Sequence, residues 1–287
     1  MTHAEVNISY PWWRFKRAQS IPLHIPGRWA EVPPNLRFLG VSTLCHYTGE
    51  EAKIRLLCLW TSLTYKQAMM IPALEMGKLT ETLNWVNLAP SPEPIIPSFD
   101  HRGITFHFPK EKFENGRAIE YPIADDFYSD YCESNEKKHL VRLAATICRP
   151  ESNDFKSIIT RGDKRIPLLS REEAIHRAEI LKDLPDEILL TVKLFFEGIK
   201  QYVHDTYGHW LFPQTNPEEE NGSGGLNFGW WGMYQDVAEN GLFGNLQQVY
   251  QSLFHDVAIY LIRKKEAYNQ QLQKQNFAEA NAEANAE

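Results

Sequence analysis

Proline and helical spacing divide this chain between them, and that division constrains its fold more than any other feature. Pro22, Pro26, Pro33 and Pro34 crowd the N-terminal part, and Pro90, Pro92, Pro94 and Pro97 form a second cluster. Such segments do not hold long helices, because each ring removes a backbone donor and clashes with the carbonyl four residues back. Elsewhere apolar residues recur at spacings of three and four. The clearest run is Ile188, Val192, Phe195 or Phe196, Ile199 and Val203, which commits one helix face to a core.

Residues 1–47 read as an irregular N-terminal arm with short strands. A helical body is expected over 48–212. Thr48 with Glu51 suits a capping box for a helix carrying Ile54, Leu57, Cys58 and Thr61. Pro72 breaks the pattern before a second helix over 75–88. Residues 89–122 form a β or loop insertion, in which Ile104-Thr105-Phe106-His107-Phe108 alternates as a hairpin does. Helical spacing returns over 123–148 and stops at Pro150, and a short strand is expected near 156–159. Ser170 with Glu173 marks the next helix start, and Asp183 with Pro185 the one after it.

The run "PQTNPEEENGSGGLN" at 213–227 has the composition of an exposed acidic, glycine-rich linker. Beyond it a C-terminal helical pair is expected over 228–270, its last helix capped by Asn245 with Gln248 and seamed by Leu246, Val249, Leu253, Val257 and Tyr260. Residues 271–287 are Ala/Glu/Asn-rich and read as a disordered tail. The predicted fold class is mainly α: a multi-helix body with a minor β-hairpin insertion and a C-terminal helical pair.

With 287 residues, 43% of them hydrophobic, the chain can bury a core as one large domain or two small ones. A net charge of −7 leaves no broad basic face for nucleic acid. The local run "PWWRFKR", with Arg14, Lys16 and Arg17, is the sole candidate for such contacts. No charged leader precedes an apolar core, and no apolar run reaches the roughly 20 residues a membrane span requires. A cytoplasmic protein with no membrane partner is expected. Cys45, Cys58, Cys132 and Cys148 are scattered without a C-x-x-C pair, which argues against a zinc ribbon.

No motif marks an active site. In "HDTYGHW", His204 and His209 stand five apart rather than at the i, i+4 spacing that sets two imidazoles on one helical face, so no metal is expected. His255 and Asp256 are adjacent on a helix and diverge by about 100°. There is no nucleophile elbow and no phosphate-binding loop. A non-enzyme without cofactors is predicted. What the chain offers instead is aromatic surface. "GGLNFGWWGMY" sets Trp230 and Trp231 between glycines, and with Tyr234, Leu253 and Val257 they form the candidate partner-binding set. The competing reading is that the two tryptophans staple the C-terminal pair onto the body. Trp60 and Trp85 read as core.

The blocks "IPGRWAEVPPNLRFLGVSTL", "GEEAKIRLLCLWTSL", "YPIADDFYSDYCESNEKKHLVRLAATICRP", "AEILKDLPDEILLTVKLFFEGIKQYV" and "FGWWGMYQDVAENGLFGNLQQVYQSLFHDVAIYLIRKKEAY" occur in that order. Together, from about residue 21 to 268, they resemble proteins from the tail-morphogenesis region of Bacteroidetes tailed phages and prophages. The ending resembles the C-terminal unit of phage tail assembly chaperones: a helix start at Gly229-Trp230, an acidic stretch over 236–239, a glycine turn over 241–244, and an amphipathic helix from Leu246. The resemblance implies a chaperone-like factor that binds the apolar tape-measure protein, or another tail protein, in the host cytoplasm. The simple chaperones have no counterpart of residues 1–210. That departure implies the alternative of a minor structural component of the virion, in the tail or connector.

Overall fold

The computed structural model describes residues 2–8, 19–88, 92–153, 158, 162–211 and 229–284. The linker expected at 213–227, the basic run with Arg14, Lys16 and Arg17, and all but Ile158 of the strand expected near 156–159 lie outside the described residues. The fold is mainly α with two small antiparallel sheets.

The N-terminal layer begins with β1 (Thr2–Ile8) and β2 (Gln19–Ile25), paired from Thr2 opposite Ile25 to Ile8 opposite Gln19. Val6, Ile8, Ile21, Leu23 and Ile25 alternate along the strands and are buried together. The chain then enters a helix that the sequence reading did not anticipate, α1 (Pro34–His46). Pro33-Pro34 looked like an interruption, but Pro34 occupies the first helical turn, where the missing donor costs nothing and the fixed φ suits the helix. α2 (Gly49–Trp60), α3 (Tyr65–Ala68), α4 (Ala73–Glu81) and α5 (Trp85–Leu88) complete the layer. Thr48 does sit at the start of α2, yet its hydroxyl caps nothing. Glu51 turns instead to Arg55, at 2.6 Å, and to the Tyr65 hydroxyl. The capping box in this layer is Thr64 with Gln67.

Trp29, Trp60 and Trp85 meet at the centre of this layer with ring centroids 5.6–5.7 Å apart. A side chain at Gly40 would meet the Trp60 ring at 2.8 Å, so the close approach of α1 depends on that glycine.

The expected hairpin is β3 (Ser98–His101) with β4 (Ile104–His107). Arg102 and Gly103 turn it, both with positive φ, which suits the twist of a two-residue hairpin. Arg149–Pro150 adds a third strand, β5, against β4. Next come α6 (Glu120–Ser134), α7 (Lys137–Ile147), α8 (Arg171–Ile180) and α9 (Asp186–Val203). Ser170 caps α8 as expected, accepting from the Glu173 amide at 3.2 Å. Asp183 does not cap α9; it pairs with Arg102 across the surface.

Helix α9 is the wall between two hydrophobic cores. Val192, Phe195, Phe196 and Ile199 join the main core, while Leu194 joins the N-terminal one. α9 runs on through a π turn, His204–Gly208, and a last turn, His209–Leu211. The C-terminal unit is α10 (Gly229–Glu239), α11 (Leu246–Gln251) and α12 (Phe254–Ala284). The single last helix expected over 246–270 is therefore two helices. The tail expected to be disordered over 271–287 is helical through Ala284.

Candidate partner-binding site

On α10, Trp230, Tyr234 and Val237 fall at i, i+4 and i+7 and share one face. That face is buried in the main core, with Trp230 only 9% exposed and Tyr234 and Val237 fully covered. The Trp230 ring lies 5.3 Å from Tyr121 and 5.3 Å from Phe254, and Tyr121 stacks on Phe254 at 4.6 Å. These rings come from α10, α6 and α12, so the aromatic cluster joins the C-terminal unit to the body. The Tyr234 hydroxyl donates to the Ala118 carbonyl at 2.9 Å, which satisfies its one polar atom inside the core.

The break between α11 and α12 is the second attachment. Residues 116–119 lie against it as a short strand would. The Ala118 amide donates to the Ser252 carbonyl, the Ile119 amide to the Tyr250 carbonyl, and the Phe254 amide to the Gly116 carbonyl, at 2.9–3.2 Å. Leu253 forms a bridge with Arg117 at this point. The last helix divides here because these three bonds claim backbone groups that a continuous helix would keep for itself. Gly116 is required: a Cβ there would stand 2.1 Å from the Phe113 ring.

The strand-like segment is anchored from beneath. The Arg117 amide donates to Glu120, and Glu120 belongs to a fully buried group of charges. Arg149 reaches Glu120 at 2.5 Å and Asp163 at 3.5 Å, and Arg165 reaches Asp163 at 2.9 Å. Asn115 donates to Asp163 as well. Burial pushes the Asp163 carboxyl up, but the Arg165 guanidinium beside it more than offsets this and holds it below the usual value. Burial lowers Arg149 to about 10 despite Glu120. Two acids and two bases thus face one another inside the core, and the group holds the 116–119 segment to the body.

His255 ties α12 to the body from another side. Its Nε2 faces the Lys112 carbonyl at 2.7 Å and must donate, so Nδ1 accepts from the Tyr207 hydroxyl, also at 2.7 Å. Burial lowers its proton affinity, and the bond to Lys112 offsets only part of that.

Of the five candidate residues, then, Trp230, Tyr234 and Val257 are closed inside the chain's own core. Trp231 and Leu253 are half-buried, with Trp231 against Tyr250 at 5.8 Å. As an exposed anchor the set is corrected to a staple: Tyr121, Phe196 and Phe254 give these rings more apolar contact than water would leave them. Trp60 is buried and Trp85 half-buried, both in the tryptophan cluster. Cys148 is buried, Cys58 is half-buried and Cys132 is exposed.

Exposed apolar surface lies further along α12. Phe254, Val257, Ala258 and Leu261 pack on the body, and the same seam continues through Lys265 to Tyr268 and Leu272 beyond the body's edge. Residues 267–278 are exposed on every face, with Tyr268 64%, Leu272 43% and Phe277 71% open. At the root of this arm Leu211, Met233, Leu261 and Tyr268 line an open groove of about 340 Å³, with Asp236, Lys264 and Lys265 at its edge. The spacing of Leu261, Tyr268 and Leu272 was the available signal in the sequence, masked by the low-complexity composition that follows it.

Among the described residues no group of three or more His, Cys, Asp or Glu could hold a metal ion, and no helix is long and apolar enough to cross a membrane. His204 is largely exposed and faces Asp205. The Cys45 thiol, pushed up to about 11 by burial, lines a shallow pocket with Tyr131 and Leu190. Comparison with protein-family models, curated proteins and solved structures finds no match.

Proposed function

We propose that this chain is a non-enzymatic interaction protein of phage tail morphogenesis, a tail assembly chaperone-like factor that binds the apolar tape-measure protein. The observation that carries the reading is the α12 arm. It starts from a rigid aromatic staple, leaves the body, and holds Tyr268, Leu272 and the root groove open to a helical partner. A holdase needs such apolar surface on an acidic body, and it needs it where a long helix can lie. The order of parts from Gly229 onward is also that of the chaperone unit which the sequence resembles.

Co-expression tests the reading. A tape-measure protein co-expressed with this chain should stay in the soluble fraction with the intact protein. It should precipitate when Met233 and Tyr268 are both replaced by Glu. Rescue by the double variant equal to that by the intact chain would reject the arm and groove as the binding surface.

The fixed attachment of the C-terminal unit favours a second reading, a minor structural component of the virion. Mass spectrometry of purified particles separates the two: a chaperone is absent from them, and a structural part is present at fixed copy number.

A further inference from the structure

We infer that His3 and His24 form a two-histidine site for a divalent transition-metal ion that takes its ligands at right angles, Ni2+ or Cu2+. The two residues stand directly opposite one another in the β1–β2 pair. Alternation along the strands turns Ile8, Leu23 and Ile25 into the core and leaves His3, Glu5, Ser20 and His24 exposed on the other face. Side chains at opposed positions of an antiparallel pair start about 5 Å apart at Cβ, so the ladder and the core beneath it bring the two imidazoles together before any ligand arrives. Spacing along the chain carries no trace of the pair, because its members are 21 residues apart.

The nitrogens are already at ligand spacing. The two Nδ1 atoms are 2.8 Å apart. Two nitrogens each bound about 2.0 Å from one ion stand about 2.8 Å apart at a right angle and about 3.3 Å apart at the tetrahedral angle, so the pair suits tetragonal coordination better than that of structural zinc. The rings also meet obliquely: their planes are perpendicular, and their centroids are 4.6 Å apart, closer than a head-on approach of the two Nδ1 atoms would allow. The nitrogen lone pairs are therefore inclined to the line between them, as those of two ligands on one ion must be. Between neutral rings the direct contact requires one Nδ1 to carry a proton and donate it. An ion replaces that hydrogen bond when the proton moves to Nε2 of the same ring, which leaves both imidazoles neutral, the form that ligates. Glu5 does not complete the site, since its carboxylate accepts from the Ser20 hydroxyl on the side away from His24. Among the described residues no third His, Cys, Asp or Glu joins the pair, so water fills the remaining positions. The site does not rest on the tail-morphogenesis reading.

Calorimetric titration of NiCl2 into the full chain, prepared without an affinity tag, tests the inference. Ni2+ is the probe because Cu2+ would oxidise the exposed Cys132 thiol. The intact chain should bind Ni2+ in the micromolar range and melt at a higher temperature with the ion, which ties the two strands together. His3→Ala and His24→Ala should each weaken the binding by a factor on the order of 10², because the second imidazole acts at a high effective concentration. Both residues are exposed, so each variant should keep the melting temperature of the intact chain when Ni2+ is left out. His204→Ala with His209→Ala, at two other exposed histidines, should bind as the intact chain does. Absence of binding overturns the inference. So does binding that survives His3→Ala or His24→Ala, or binding that is lost with His204 and His209.

Discussion

Trp230 sits where two aromatic rings from two other helices converge, so its side chain measures the attachment of the whole C-terminal unit. Trp230→Ala should cost about 3–5 kcal/mol in urea denaturation, the range for emptying a large aromatic site in a core. Trp231→Ala should cost clearly less, because that side chain is only partly buried. Equal and small effects at both positions would contradict the staple. Asp163→Asn should be severe in a different way: it leaves Arg165 buried without its closest acid, a loss of roughly 3–5 kcal/mol by the same assay.

His255 makes a pH prediction at the same scale. Its folded-state pKa lies below its ordinary value, so below that value the unfolded chain binds more protons than the folded one. The stability it contributes is fully present above about pH 6.5 and falls as the pH drops. His107, also lowered by burial, acts in the same direction, so the informative quantity is the difference between proteins. His255→Gln should lose less stability than the intact chain between about pH 7 and about pH 5, followed by thermal melting. Parallel curves for the two proteins would show that this histidine carries none of the dependence.

At the scale of elements, the junction between α11 and α12 depends on the 116–119 segment staying in place. Gly116→Ala forces a Cβ into the Phe113 ring and should destabilise by about 1–3 kcal/mol, the usual cost of overpacking. Hydrogen exchange locates the effect. The amides of Ala118, Ile119 and Phe254, which bridge the two segments, should exchange faster than those within α9. Element type was legible wherever a long run kept one period, as in α9 and across α6 and α7, because such a stripe has only one way to be buried. The hairpin, the Ser170 cap and the Asn245 cap were legible from local signals of the same kind. α1 was not, because a proline pair reads as a stop unless one knows that the second proline opens a helix. Nor was the α11–α12 break: Leu246, Val249, Leu253 and Val257 keep helical spacing straight across it, and the bonds that divide them come from residues more than 130 positions away.

For the whole molecule, α9 is the shared wall of both cores, and the two layers should unfold together. Leu194→Ala, on the N-terminal side of α9, should lower the midpoint seen by tryptophan fluorescence and by far-ultraviolet circular dichroism alike, with the two curves still coincident. Separate transitions would mean that the layers are independent. The arm is the opposite case. Truncation after Tyr268 removes residues that are exposed wherever the structure describes their side chains, so the protein should keep its stability to within about 0.5 kcal/mol.

The sequence by itself determined the helical class, the place of the hairpin and the faces that had to be buried, because those follow from periods of two and 3.6 residues and from local capping chemistry. The seam it showed ended at Tyr260, and its continuation to Tyr268 and Leu272 became visible only in the structure. Only the tertiary structure decided which aromatic residues are inside. Trp230 and Trp231 are neighbours with the same chemistry, and no local rule separates them. The difference arises because one faces Tyr121 and Phe254 and the other faces the rim beside Tyr250. Burial depends on what other elements bring to a position, and that is a property of packing between residues far apart in the chain, which spacing along it does not encode.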